Sequence, residues 1–466
     1  MTFAFRVASS MKSRDRIQQN TLEDSGRPLA AMLFQVIHQK ENRMNAKDGN
    51  SGEQTQTKFD RLAHLKDVVG IRSAFAGCAD LKSVVIPEGV SFIGDFAFAD
   101  CTNLSRVVLP SSLYSIGDGA FCGCARLESV VIPEEVRHIE DFAFADCTNL
   151  SRVVLPSSLC SIGDGAFCGC ARLKSVTIPK GELSRIGDGA FCGTLLLEDS
   201  TRDGVAICDG WVIGRKRCPS KLTLPRGIRG IANGVFADCV ELKSVTIPGG
   251  VKKIPTNAFE GCKNLKSVVI SDGVVSIGLG AFQDCWQLAN VSIPASVVEI
   301  VDQAFAGTAL VRNAETGVAI CDGWVVGGNV RCPAKLDLPK GIHGIARDAF
   351  GGWDAFAGRD EFVSVTIPES VTVIPEKAFS SCSSLQSVVI PDGGIVINDA
   401  AFYGCSSLKT VVFEGLPPRI EVDFPGPGVF PDGAIGYYPP KCAAKWRKVI
   451  GKDGKWEGLK MKCAGK

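Results

Sequence analysis

The chain has 466 residues, 45% of them hydrophobic and 22% charged, with 51 Lys or Arg against 50 Asp or Glu and a net charge of +1. So even a balance gives no global field to draw the chain onto nucleic acid or an anionic membrane, and nucleic acid is not expected as a partner. No apolar stretch approaches the roughly 18 residues that cross a bilayer, so no membrane span is expected.

Taken in chain order, Met1-Thr2-Phe3-Ala4-Phe5-Arg6 soon meets Lys12, Arg14 and Arg16, which interrupts the apolar run of about 7 to 15 residues that a secretion signal needs. Residues 41–59 (ENRMNAKDGNSGEQTQTKF) are polar and nearly devoid of large apolar side chains, so residues 1–60 read as a poorly ordered segment and linker.

A repeat follows. Phe75, Phe98, Phe121, Phe144 and Phe167 lie 23 residues apart, Phe191 follows after 24, and the spacing resumes at Phe236, Phe259, Phe282 and Phe305, then at Phe356, Phe379 and Phe402. The gaps of 45 and 51 residues each have room for one divergent repeat, near 195–235 and 309–350, giving about 15 units over residues 61–413. A typical unit, Ala74 to Gly94, runs AF-x-x-C-x-x-L-x-x-V-x-IP-x-x-V-x-x-IG. Its Val84 and Ile86 alternate at period 2, predicting a strand that turns them inward and Ser83 and Val85 outward. Pro87 ends the strand, since proline lacks the N–H that a ladder needs. Val90, Ile93 and Phe98 supply apolar contacts on the returning side. One unit cannot bury that set alone, so the expected fold is a solenoid whose stacked units build a parallel β-sheet and a continuous core.

Ten of the 20 cysteines (Cys78, Cys101, Cys124, Cys147, Cys170, Cys239, Cys262, Cys285, Cys382, Cys405) stand three residues after a repeat Phe. They read as a row of small buried thiols, although neighbouring units are close enough for disulfides. Cys122-Gly123-Cys124 and Cys168-Gly169-Cys170 each add one cysteine to that row. With only His38, His64, His138 and His343 in the chain, no metal site is expected. No GxSxG, HExxH or phosphate-loop motif is present, so neither catalysis nor a cofactor is expected. The outward strand positions form the candidate partner-binding surface: Ser83, Val85, Arg106, Val108, Arg152, Val154, Ser175, Thr177, Ser244 and Thr246.

In the two divergent repeats, Cys208-Asp209-Gly210-Trp211 and Cys321-Asp322-Gly323-Trp324 place Asp-Gly between apolar runs, a hairpin signal. Trp211 and Trp324 are read either as core of the hairpin or as exposed binding anchors. Cys208 with Cys218, and Cys321 with Cys332, are either local disulfides or buried thiols. After Phe413 the pattern lapses, and residues 414–466 read as a cap closing the core. Its last stretch, 441–466, carries nine Lys or Arg against two acids, net +7, which is either a solvated end or a grip on an anionic surface.

The repeated unit resembles the BspA-like leucine-rich repeat. The resemblance implies a parallel sheet on the concave face of a solenoid. It also implies a non-enzymatic binding or adhesion protein, at the cell surface or outside the cell, with a protein or glycan partner. The thiol row and the interrupted N-terminus support a different reading, an intracellular protein–protein interaction scaffold. Blocks have been copied whole: Phe96–Leu113 recurs as Phe142–Leu159, and Gly204–Trp211 as Gly317–Trp324. Copying multiplies one surface along a line, which suits binding better than an active site.

Overall fold

The computed structural model describes residues 75–198, 204–329, 331–351, 362–421 and 429–465. The N-terminal segment and linker expected at 1–60, and Phe356, lie outside the described residues. The chain divides into two compact units, the first ending at Asp199 and the second beginning at Ser200.

In the first unit each turn contributes two short parallel strands. One series consists of Ser83–Val85, Arg106–Val108, Ser129–Val131, Arg152–Val154 and Ser175–Thr177, each with a buried central valine between exposed neighbours. This is the alternation that the sequence predicts. Ser83 pairs with Arg106 and Arg152 with Ser175, so the register advances by 23 residues. Proline stands two residues past the end of each strand and limits its length. The other series, Phe92–Ile93, Ser115–Ile116, His138–Ile139, Ser161–Ile162 and Arg185–Ile186, makes a second parallel sheet of five strands. That sheet was hidden in the sequence, because two residues cannot display a period of two.

The third side is a stack of rings. Phe75, Phe98, Phe121, Phe144, Phe167 and Phe191 lie face to face with centroids 5.2 to 5.6 Å apart. Backbone bonds run beside them: the Phe98 N–H donates to the Ala120 carbonyl (2.8 Å) and the Asp100 N–H to the Cys122 carbonyl (2.6 Å). The ladder cysteines complete this side. The Cys124, Cys147 and Cys170 thiols are buried, and each donates at 3.2 Å to the carbonyl of the phenylalanine one turn back, Phe98, Phe121 and Phe144 respectively. Cysteine thus serves as a small side chain that still satisfies a buried acceptor.

The second unit repeats the plan. Its first strand series is Lys221–Thr223, Ser244–Ile247, Ser267–Ile270 and Asn290–Ser292, all parallel. Phe236, Phe259, Phe282 and Phe305 form the matching ring stack. Two antiparallel hairpins interrupt it, Val205–Cys208 with Trp211–Arg215 and Val318–Cys321 with Trp324–Gly328. Both turn through an Asp-Gly pair with positive φ, Asp209 (46°) with Gly210 (81°) and Asp322 (46°) with Gly323 (80°). The tryptophan strand of each then pairs in parallel with the next turn, at Gly230–Ile231 and Gly344–Ile345.

Two expectations change here. The ring stacked on Phe379 is Phe350, at 4.8 Å, and the Cys382 thiol donates to the Phe350 carbonyl. The divergent interval from Phe305 is therefore 45 residues, equal to the one after Phe191, and the interval from Phe350 to Phe379 is 29. The pairing also runs past Phe413: Ile435–Tyr438 and Leu459–Cys463 add two more parallel strands, and Lys455–Trp456 closes the edge antiparallel to the last. Trp446 is fully buried beside Phe413, Tyr438 and Trp456, and its indole N–H donates to the Gly415 carbonyl at 2.9 Å.

Candidate functional site

The outward face of the first strand series is built by geometry alone. Inward valines fill the core, so their neighbours must point to solvent. Ser83, Val85, Arg106, Val108, Arg152, Val154, Ser175 and Thr177 are all exposed there. Aliphatic side chains are prominent: Val85 is 48% exposed and Val131, on the intervening strand, 67%. Arg106 and Arg152 occupy the same position of their strands two turns apart, flanking Ser129 on the strand between. Ser244 and Thr246 hold the corresponding positions in the second unit, where they are half-buried.

Trp211 and Trp324 do not join this surface. They are 4% and 5% exposed, packed face-on against Gly230 and Gly344, where a Cβ would come within 2.6 Å of the ring. Arg229 lies over the Trp211 ring at 6.0 Å, and His343 meets Trp324 edge-on at 5.8 Å. Both belong to the core of their hairpins, whereas the outward valines are exposed as strand alternation requires.

Cys218 is bonded to the ladder cysteine Cys239, not to Cys208, because the hairpin brings 218 over the next turn. Cys168 is bonded to Cys192 one turn on. Cys321 and Cys332 form no local bridge; the Cys321 thiol donates to the Val291 carbonyl at 3.1 Å. Burial pushes the Cys101, Cys170 and Cys405 thiols up to about 12, so they stay protonated near neutrality and are poor nucleophiles.

Elsewhere the chemistry is sparse. His138 Nδ1 lies 2.9 Å from Ser161 Oγ, in register on adjacent turns, but among the described residues no carboxylate bonds the imidazole to orient it. Among the described residues no group of three or more His, Cys, Asp or Glu is placed to hold a metal ion, and no helix is long and apolar enough to cross a membrane.

A coil of parallel strands with a 23-residue period, lined by stacked phenylalanines and a thiol row, defines a leucine-rich-repeat solenoid. Residues 71–198, 216–316 and 352–420, together well over half of the chain, match the family described as BspA type leucine rich repeat region in six copies, and the chain belongs to that family. Among solved structures it is similar to a leucine-rich repeat protein from Bacteroides ovatus (24% identity over 80% of this chain and 88% of that chain, TM-score 0.28). It is similar also to a leucine rich cell surface protein from Faecalibacterium prausnitzii (25% identity, 74% and 79%, TM-score 0.25) and to a leucine rich repeat protein from T. pallidum (30% identity, 45% and 78%, TM-score 0.23). No curated protein matches the chain. Family and fold point to protein binding and give no positive indication of catalysis.

Proposed function

We propose that this chain is a non-enzymatic adhesion protein, displayed at the cell surface, that holds a protein or glycan partner on the outward face of its first strand series. The observation that carries this reading is the exposed row of Val85, Val108, Val131 and Val154 with Arg106 and Arg152 beside it. These side chains contribute little to the core, and a contiguous apolar stripe of this kind gains from being covered. The arginines supply forked donors to carboxylate or hydroxyl groups of the partner.

The test is a binding screen of the full chain against extracellular-matrix proteins and a glycan array, repeated with a Val131→Glu, Val154→Glu, Thr177→Lys triple variant. Retention on the wild-type ligand is expected to fall at least tenfold while the melting temperature moves by no more than a few degrees. Undiminished retention overturns the assignment of this face. An intracellular scaffold draws support from the buried thiol row, and protease shaving of intact cells separates the two: only a displayed chain is cleaved.

A further inference from the structure

The two hairpins differ at one position in a way that leaves a socket. In an ordinary turn, the carbonyls flanking the repeat phenylalanine accept from the preceding turn, as Ala97 and Ala99 accept from the Phe75 and Gly77 N–H groups at 2.9 and 2.7 Å. A hairpin placed before a turn removes those donors. Ahead of Phe236 the loss is made good by a side chain: Arg215 donates from Nε to the Val235 carbonyl at 2.7 Å and from its guanidinium NH2 to the Ala237 carbonyl at 2.6 Å.

Ahead of Phe350 it is not. The second hairpin shares the GVAICDGWV sequence of the first, and Gly328 pairs with Val318 where Arg215 pairs with Val205. The carbonyls in question are now those of Ala349 and Gly351. Among the described residues no N–H or O–H group donates to either. In place of the arginine is a cavity of about 490 Å³, bordered by Gly327, Gly328, Ala349 and Gly351 with the carboxylates of Asp284 and Asp348. The Asp348 carboxylate leans over Gly351, close enough that a Cβ there would collide with it.

The cations around the cavity are engaged. Arg312 donates to the Trp286 carbonyl at 2.7 Å. Arg347 is ion-paired with Asp302 at 3.3 Å, Glu299 at 3.4 Å and Glu376. Lys377, which faces Asp348, is paired with Glu376 at 3.0 Å.

We propose that this cavity is a receptor for a guanidinium group, the arginine side chain of a partner doing for Ala349 and Gly351 what Arg215 does for Val235 and Ala237. Two carbonyls two residues apart call for a planar fork of donors, which guanidinium has and ammonium lacks. Asp348 and Asp284 supply the countercharge. The site is independent of the outward strand face, so each stands or falls alone.

The experiment titrates N-acetyl-arginine amide into the full chain at low salt, followed by calorimetry and by amide NMR shifts at Ala349 and Gly351, with N-acetyl-lysine amide as comparator. Saturable arginine binding at least tenfold tighter than lysine binding is expected. Gly328→Arg, which rebuilds the arrangement of the first hairpin, should abolish binding and raise the melting temperature; Asp348→Asn should weaken binding about tenfold. Arg215→Gly should create a second site, with new shifts at Val235 and Ala237. Absence of saturable binding to the wild-type chain, or binding that survives Gly328→Arg in a folded variant, overturns the proposal.

Discussion

Asp348 shows how one side chain couples the cavity to stability. Burial, with the charge of Asp302 beside it and Lys377 opposing, raises its pKa from 3.8 to about 6. The folded protein therefore holds a proton there that the unfolded chain has released, so stability falls as pH rises from about 4 to 6 and stays lower above. Asp348→Asn, which keeps a residue tolerant of its φ of 55°, is expected to stabilise the chain at pH 8 by on the order of 1 kcal/mol, a partly exposed group giving less than its full shift. The gain should vanish near pH 4, and denaturant unfolding at both values checks it. The positions of the ladder cysteines and the outward valines were legible in the sequence because both follow from the period. The Cys218–Cys239 bridge was not, since partner choice depends on which turns become neighbours. The burial of Trp211 and Trp324 likewise depends on glycines 19 and 20 residues further on.

Among the elements, the two-turn step of the copied blocks has a steric cause. The residue two after the repeat phenylalanine adopts positive φ in turn after turn, and from Phe75 to Phe167 it alternates Gly77, Asp100, Gly123, Asp146, Gly169, with Gly193 ending the alternation. A Cβ on Gly123 would stand 2.2 Å from Asp100 Oδ1, and one on Gly169 2.3 Å from Asp146 Oδ1. Each aspartate thus needs a glycine above it, and turns come in pairs. The alternation is visible in the sequence, but its reason appears only when turns are stacked. Gly123→Ala should cost about 2–3 kcal/mol, part from φ and part from the collision. Adding Asp100→Gly removes the collision and should restore about half, a coupling that a double-mutant cycle measures. Independent, additive effects would show that the pairing is not steric.

At the scale of the whole molecule, an open sheet edge is a template for association. Lys455–Trp456 and the buried Trp446 close that edge in the second unit. Removing residues 441–465 bares Phe413, Tyr438 and the Ile435–Tyr438 strand, and the truncated chain is expected to form soluble oligomers, read by light scattering. A monomer of undiminished stability would show that closure does nothing. Where the repeat motif weakens beyond Phe413 the sequence conceals two further strands, because Gly436, Tyr437 and Lys460 break the Val-x-Ile pattern while the backbone pairing persists.

The identical blocks Phe96–Leu113 and Phe142–Leu159 set the same Arg-Val-Val strand twice on one face, two turns or about 10 Å apart. A ligand small enough to sit on one copy meets two degenerate registers. The degeneracy itself adds only RT ln 2, about 0.4 kcal/mol. For a ligand held on this face as proposed, the larger effect is kinetic: on leaving one register it finds the other within a single step and shuttles along the face before escaping into solvent.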